Sequence, residues 1–221
     1  MTREEARIRI EEIGIFPGIR VDSADQALYC AEILYASGIP IGEIPMTVPD
    51  ALKIIFQVSK KFPDMVVGAG TVLDGDTALR CIDAGARFIT STGFIPEVVA
   101  ATLKENVVAI PGALTPTEVI ACRKAGGDYV KIFPAASLGG DLYIRSLKLP
   151  LPEIPLIAAG GVSLQTAESL IEAGASALGV GMELLPKDAI ARKQDHRIRE
   201  LARRFLALVR KGRSSTENQR A

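Results

Sequence analysis

Residues that bind metals or form nucleophile–base pairs are scarce in this sequence of 221 residues. It has one histidine, His196, and its cysteines are an odd number without CxxC spacing: Cys30, Cys81 and Cys122. A single histidine in a charged helical run predicts neither a His/Cys site for a transition metal nor a catalytic triad. We interpret the cysteines, which lie in helical patterns, as small buried thiols. Neither a metal enzyme nor a triad hydrolase is therefore predicted.

An excess of one charge and long apolar segments are also missing. Lys and Arg together number 26, as do Asp and Glu, and no basic stripe alternates with aromatic residues, so nucleic acid is not an expected partner. The N-terminal residues MTREEARIRIEEIG are charged and helix-patterned, and no later run is long enough to cross a bilayer. We expect a cytoplasmic protein without a membrane partner.

The residues that are present are typical of one compact α/β domain. Apolar residues make up 48% and charged residues 24% of the chain, and neither a linker nor a shift in composition divides it. The last segment, GRSSTENQRA, lacks periodicity. We predict a single domain over residues 1–211 and a disordered tail over residues 212–221.

A short unit repeats along the chain. Four helical patterns end in a glycine and run directly into an apolar segment, at Gly38, Gly85, Gly126 and Gly174. Glycine there lets a helix end in the left-handed conformation, so each position marks a helix-to-strand junction. The apolar segments predict eight strands, at Ile15–Val21, Ile39–Met46, Met65–Val72, Phe88–Gly93, Val107–Leu114, Tyr129–Ala135, Pro155–Gly161 and Ala177–Leu184.

The spacing of these strands predicts their arrangement. They begin about 19 to 26 residues apart, which leaves room for a helix and two loops, so consecutive strands should be parallel. Eight such units predict an α/β fold of the (β/α)8 TIM-barrel type, with a short N-terminal helix. The alternative, an open doubly wound sheet, lacks its usual GxGxxG sequence here.

Two charged residues interrupt strands that should be apolar on both faces. Lys131 lies between Val130 and Ile132, and Glu43 precedes Ile44. Because side chains alternate along a strand, both charges should point into the barrel while their apolar neighbours face the helices. Both also lie toward the C-terminal ends of their strands, where active sites of such barrels form.

A buried lysine and a buried carboxylate have two interpretations. They could form a structural ion pair, although burying two charges costs several kcal/mol. Alternatively they are reactive, because a lysine in apolar surroundings can present the free amine that attack on a ketone requires, and a carboxylate can move protons. We favour the second interpretation.

A glycine pair, Gly160-Gly161, follows the seventh strand, and a helix is expected to begin near Ser163. Barrels often bind phosphate between the loops after strands seven and eight, where backbone NH groups and a helix N-terminus favour an anion. Gly179 and Gly181 would line the other side. The alternative is a tight left-handed turn without a ligand.

Taken in their order along the chain, the motifs of this sequence resemble those of the KDPG/KHG aldolase family, which comprises the 2-keto-3-deoxy-6-phosphogluconate and 4-hydroxy-2-oxoglutarate aldolases. The resemblance covers residues 13–186 and rests on Pro17-Gly18-Ile19-Arg20, Glu43-Ile44-Pro45-Met46, Gly68-Ala69-Gly70-Thr71-Val72-Leu73, Pro111-Gly112, Val130-Lys131-Ile132-Phe133-Pro134-Ala135 and Gly160-Gly161-Val162. Each motif alone is weak, but the ordered set is specific.

The resemblance implies a class I aldolase that cleaves a 2-keto-3-deoxy-6-phospho sugar acid, or 4-hydroxy-2-oxoglutarate, to pyruvate and an aldehyde. It implies Lys131 as the Schiff-base lysine and Glu43 as the general acid/base. The expected substrate contacts are Arg20, Thr71, Thr47, Phe133, Gly160, Gly161 and Gly181. The family uses no metal or organic cofactor and is homotrimeric, so we expect a small-molecule 2-oxo acid partner and a homotrimer.

Three positions depart from the family pattern. Thr47 stands where many members have Arg, Ser91-Thr92 where a Pro is usual, and Met182 where a Ser often binds phosphate. These differences concern the substrate's carboxylate and phosphate rather than the lysine chemistry. Two other functions remain open at this point: a phosphate-binding isomerase or epimerase on the same fold, and a barrel that binds a sugar acid without catalysis.

Overall fold

The computed structural model describes residues 1–220, with side chains for residues 1–216. Its α-helices are α1 (Arg3–Ile13), α2 (Ala24–Ala36), α3 (Ala51–Lys61), α4 (Gly75–Asp83), α5 (Pro96–Lys104), α6 (Pro116–Lys124), α7 (Asp141–Lys148), α8 (Ala167–Glu172), α9 (Lys187–Ala191) and α10 (Asp195–Arg220). A 3-10 helix spans Ala136–Leu138. The strands are β1 (Ile15–Pro17), β2 (Ile41–Pro45), β3 (Val66–Gly70), β4 (Phe88–Thr90), β5 (Val108–Ile110), β6 (Gly112–Ala113), β7 (Val130–Ile132), β8 (Leu156–Ala159) and β9 (Ala175–Val180).

All the strand pairs are parallel and fall into two sheets, ordered β1-β9-β8-β7-β6 and β2-β3-β4-β5. A parallel bridge between Gly18 and Glu43 joins the first sheet to β2. At the other seam β5 continues into β6 after Pro111. The strands therefore surround one interior in the order of a (β/α)8 barrel, and each predicted strand overlaps an observed one.

The helix-to-strand junctions have the local structure that the sequence predicts. The four glycines Gly38, Gly85, Gly126 and Gly174 have φ values of 79°, 109°, 95° and 103°. These left-handed conformations are favourable for glycine because it has no Cβ. They reverse the chain directly after a helix, which lets each strand start on the barrel wall.

Side chains of the strands divide into two apolar layers. The inner layer contains Ile41, Phe88 and Tyr129, and the layer under the helices contains Ile44, Val130 and Ile132. This alternation confirms the predicted side-chain directions on β2 and β7. Helix α1, which starts with a capping box at Thr2, adds Ala6 and Ile10 to the inner layer and covers the N-terminal end of the barrel.

The C-terminal helix passes the predicted domain boundary at residue 211. Helix α10 runs from Asp195 to Arg220. Two residues just beyond the boundary have tertiary contacts, because a Cβ on Gly212 would lie 2.9 Å from the backbone oxygen of Glu168 and from Ile171, and Arg213 donates to the carbonyl of Glu12. The division into a domain over residues 1–211 and a disordered tail stays a prediction. Ala221 lies outside the described residues.

Among residues 1–220, none of the helices is both apolar enough and long enough to traverse a lipid bilayer.

Candidate active site

Lys131 and Glu43 point into the barrel from opposite sheets. Lys131 is the middle residue of β7, opposite Gly112 on β6 and Ile157 on β8. Glu43 is the middle residue of β2, and it bridges to Gly18 beyond the end of β1. Their side chains are 11% and 6% exposed, so the sequence-based prediction of two buried charges is confirmed.

The two charges meet at a third polar group. Lys131 Nζ lies 3.3 Å from Glu43 Oε2 and 3.4 Å from Thr90 Oγ1. Thr90 Oγ1 lies 2.7 Å from the same carboxylate oxygen. Amine, carboxylate and hydroxyl thus form a compact triangle within the otherwise apolar interior.

This triangle borders a cavity of about 320 Å³. Lys131 and Glu43 lie in its wall beside apolar side chains, and the ring centre of Phe133 is 5.9 Å from Lys131 Nζ. The lining residues are Phe16, Gly18, Arg20, Glu43, Thr90, Ile110, Lys131, Phe133, Ile157, Ala159, Gly160, Gly161, Val162, Gly179, Val180, Gly181, Met182 and Glu183. A cavity of this size next to a buried amine can hold a small organic acid, which a sealed ion pair could not do.

The glycine pair after β8 also lines the cavity. Gly160 and Gly161 have φ values of 86° and 80°, and a Cβ on Gly160 would lie 2.9 Å from Cα of Pro134. Glycine is therefore needed for the close approach of this loop to the segment after β7. Residues 164–166 form a turn that leads into α8 at Ala167, and the backbone NH of Ala167 donates to the carbonyl of Ser163 at 3.0 Å. The first helical hydrogen bond is therefore accepted at Ser163, near the predicted start of the helix.

Five of the seven predicted substrate contacts line the cavity: Arg20, Phe133, Gly160, Gly161 and Gly181. Thr71 and Thr47 are not among its lining residues, although Thr71 directly follows β3 and Thr47 lies two residues after the end of β2, at the same end of the barrel. Thr47 is exposed, and Thr71 has a φ of 57°. Their roles in binding stay predictions.

Thr90 and Glu183 also line the cavity, although neither was predicted from the sequence as a site residue. Thr90 follows Phe88 by two residues, so the alternation that identified Lys131 also predicts an inward hydroxyl on β4. Glu183 follows the last strand and has no comparable signal, because an acidic residue in a loop is common. The apolar wall residues Phe16, Ile110 and Ile157 could have been placed inside the barrel but not at the cavity.

Cysteine and metal chemistry have little support in this site. The three cysteines are free and buried, as predicted, and none lines the cavity. Burial raises the pKa of the Cys30 and Cys122 thiols to about 12 and that of Cys81 to about 11, which disfavours the reactive thiolate. Within the described part of the chain, His, Cys, Asp and Glu form no group of three that could hold a metal ion.

The chain is similar to known aldolases over most of its length. The family model for KDPG and KHG aldolase matches residues 6–201. The 2-dehydro-3-deoxy-phosphogluconate aldolase of Treponema pallidum (strain Nichols) is 30% identical over 201 residues, which cover 90% of this chain and 95% of the relative.

Two solved structures have the same fold. The native KDPGal structure has a TM-score of 0.83 and 27% identity, over 90% of this chain and 96% of that one. The KDPG aldolase from Legionella pneumophila, with pyruvate captured at low pH as a covalent carbinolamine intermediate, has a TM-score of 0.82 and 29% identity over the same shares.

Proposed function

Since the chain belongs to the KDPG and KHG aldolase family, we propose that it cleaves a 2-keto-3-deoxy-6-phospho sugar acid, or 4-hydroxy-2-oxoglutarate, to pyruvate and an aldehyde through a Schiff base on Lys131. The observation that carries this proposal is the buried amine of Lys131, 3.3 Å from the Glu43 carboxylate and open to a cavity of about 320 Å³. The pyruvate carbinolamine in the Legionella relative supports the same covalent chemistry here.

Lys131 begins the reaction as the nucleophile. Its free amine adds to the C2 ketone, and the carbinolamine hydroxyl then takes up a proton and leaves as water, which produces an iminium that withdraws electrons from C3. Glu43, directly or through a water, then accepts the proton of the C4 hydroxyl. The C3–C4 bond then breaks, and the C4–O bond becomes the carbonyl of the departing aldehyde. The electron pair of the broken C3–C4 bond forms an enamine on the pyruvate fragment.

The second half of the reaction releases pyruvate. Proton transfer to C3 of the enamine, with Glu43 now acting as the acid, regenerates an iminium. Addition of water at C2 and departure of the lysine nitrogen then return the C2 ketone and the free amine, and they release the proton that was taken up when the iminium formed. Glu43 therefore acts as the base in cleavage and as the acid in protonation of the enamine.

The surroundings of Lys131 suit this sequence of steps. Phe16, Ile110, Ile157 and the ring of Phe133 line the cavity around the amine, so that few polar groups compete with the substrate for it. After addition, the adjacent Glu43 carboxylate stabilises the positive charge of the iminium.

Trapping with borohydride tests the proposal most directly. Incubation with pyruvate and borohydride should reduce the iminium and add one pyruvate-derived mass, which peptide mapping should place on Lys131. The exposed Lys104 at the end of α5 provides a control, since Lys104→Ala should be trapped as the parent is. An adduct at another lysine, or none, would contradict the Schiff-base function. A sugar-acid-binding barrel without catalysis predicts no adduct.

An isomerase or epimerase on the same fold fits the site less well. Such an enzyme would use a carboxylate or cysteine pair as acid and base, but the cysteines are buried away from the cavity, and the Glu43 carboxylate is paired with the amine of Lys131 at 3.3 Å. It would also not release pyruvate. Assaying pyruvate release from phosphorylated and unphosphorylated 2-oxo-3-deoxy acids separates the two functions and identifies the aldehyde.

The proposal also covers the substrate contact of Arg20, the oligomeric state, the location of the protein and its independence of metal ions. Arg20 is the basic residue of the cavity wall besides Lys131, and we assign it to an anionic group of the substrate. We also propose a homotrimer in the cytoplasm, which the family resemblance supports and light scattering can test. Chelators should leave the activity unchanged, and a loss with EDTA that a divalent ion restores would contradict the metal-free mechanism.

A further inference from the structure

Thr90 is a polar residue at the centre of the site to which the cleavage steps assign no role. It ends β4, is 0% exposed and lines the cavity. Its neighbours in the barrel interior include Phe88, Ile110 and Ile157, which have no polar side-chain atom. Burying a hydroxyl costs free energy unless it is hydrogen-bonded, so the partners of Thr90 indicate its function.

Both partners are the residues that carry the proposed chemistry. The Thr90 hydroxyl donates to Glu43 Oε2 at 2.7 Å and accepts from Lys131 Nζ at 3.4 Å. The direct contact between Lys131 Nζ and Glu43 Oε2 is longer, at 3.3 Å. Thr90 therefore makes the closest hydrogen bond to this carboxylate.

The two carboxylate oxygens of Glu43 have different surroundings. Oε2 accepts from both Thr90 and Lys131, whereas none of the hydrogen bonds among the described side chains reaches Oε1. Oε1 lies over Gly70, where a Cβ would be only 2.4 Å away, and 4.0 Å from the place of a Cβ on the cavity-lining Gly18. One oxygen is thus held by the protein and the other is left for a ligand.

The position of Glu43 Oε2 has to be maintained while the bonding of the Lys131 nitrogen changes during the reaction. A lysine ammonium has three N–H donors, but an iminium nitrogen bonded to C2 has one. Its contact with Glu43 therefore changes at each step, while the Thr90 hydroxyl stays the same. Resting on the function proposed above, we infer that Thr90 is a positioning residue that holds Glu43 Oε2 throughout the cycle and leaves Oε1 to exchange protons with the substrate.

Removing only the hydroxyl tests this role, and Thr90→Val does so with little change of shape. The variant should still form the pyruvate–borohydride adduct at Lys131, because the amine is untouched. Its kcat for cleavage should fall about 10-fold or more, the effect of one hydrogen bond to a charged group, while KM changes much less. Exchange of the pyruvate methyl protons in D2O, followed by proton NMR, should slow by a similar factor. Thr90→Ser should restore most of both rates.

Thr102 provides a matched control. It is also 0% exposed and donates a 2.7 Å hydrogen bond, to the carbonyl of Val98, but it does not line the cavity. Thr102→Val should lose stability yet keep the parental kcat and exchange rate. If Thr90→Val does not fold, Thr90→Ala gives the same comparison.

Parental cleavage and exchange rates in the Thr90 variant would overturn the inference, and so would a Thr90→Ser variant as slow as Thr90→Val. Those results differ from a failure of the proposed function, in which the parent protein itself would form no pyruvate adduct.

Discussion

Two ion pairs with buried carboxylates lie at opposite ends of the barrel, and they differ in how many hydrogen bonds the two carboxylate oxygens accept. At the N-terminal end, Asp128 accepts hydrogen bonds from Nε and Nη2 of Arg3 and from the backbone NH of Ala109, and its side chain is 5% exposed. At the C-terminal end, the Glu43 carboxylate, 6% exposed, accepts from Lys131 and Thr90 on one oxygen only.

The difference separates a structural pair from a reactive one. The Asp128 pair attaches α1 to the barrel, and protein donors occupy both of its oxygens, even though a cleft lined by Thr2, Arg3, Glu4, Arg7, Asn106 and Asp128 lies beside it. The Glu43 pair borders the cavity with one oxygen left open. Burial of charge is common to both, so it is the unsatisfied oxygen beside a cavity that indicates chemistry.

Among variants of these two ion pairs, replacement of Lys131 should have the largest effect on activity. Lys131→Ala should abolish the pyruvate adduct and lower kcat/KM for cleavage on the order of 10⁴-fold or more, because the covalent step has no other amine. Circular dichroism should show that the variant is folded. If the variant retained retro-aldol activity, the Lys131–Glu43 pair would be a structural ion pair, as the Arg3–Asp128 pair is.

Glu43→Gln should have the next largest effect. The amide keeps the size of the side chain but cannot accept a proton, so carbon–carbon cleavage should slow by about 10²-fold or more. Adduct formation with pyruvate should continue, and single-turnover kinetics can measure the two steps separately. Cleavage at the parental rate would show that Glu43 serves only as a partner for the lysine.

Arg3→Ala should change stability rather than activity. It leaves the buried Asp128 without its bidentate donor, and hydrogen bonds to charged groups contribute roughly 1.5 to 3 kcal/mol, so the free energy of unfolding in urea should fall by about that amount. The more exposed pair of Arg197 and Asp188 provides the control, and Arg197→Ala should cost less. A large loss of kcat/KM in folded Arg3→Ala would break the distinction between the two ends.

Met182→Ser, in the cavity wall, should have the smallest effect on activity. Met182 is 60% exposed on the cavity wall and cannot donate a side-chain hydrogen bond to a phosphate. Adding a hydroxyl should raise the preference for a phosphorylated over an unphosphorylated 2-oxo acid by roughly 10-fold. The measurement is kcat/KM for paired substrates in both proteins, and equal selectivity would show that another position controls phosphate binding.

Alternation of side chains allowed much of this site to be predicted. Lys131 and Glu43 stand out because a charge inside an apolar strand is unusual, and the strand period then determines the face on which it lies. Thr90 lies on the same inner face but is missed, since a threonine in a strand is ordinary. Arg20 was placed through family resemblance and the glycine pair through its position after the seventh strand, and both line the same cavity as Lys131.

Tertiary packing at the C-terminal segment could not be predicted from the sequence. Gly212 packs against α8 and Arg213 donates to the last turn of α1, which the composition of GRSSTENQRA does not show. Such contacts join segments far apart in the chain.

By itself the sequence determined the repeating unit, the parallel strands, the inward lysine and carboxylate, and the family, since these depend on local periodicity and on residue identity. Only the tertiary structure decided which groups surround the amine: the Thr90 hydroxyl on one carboxylate oxygen, the open oxygen beside Gly18, and the full satisfaction of Asp128 at the other end. Distances between strands depend on register and barrel closure, and these follow from the packing of the whole interior rather than from any one segment.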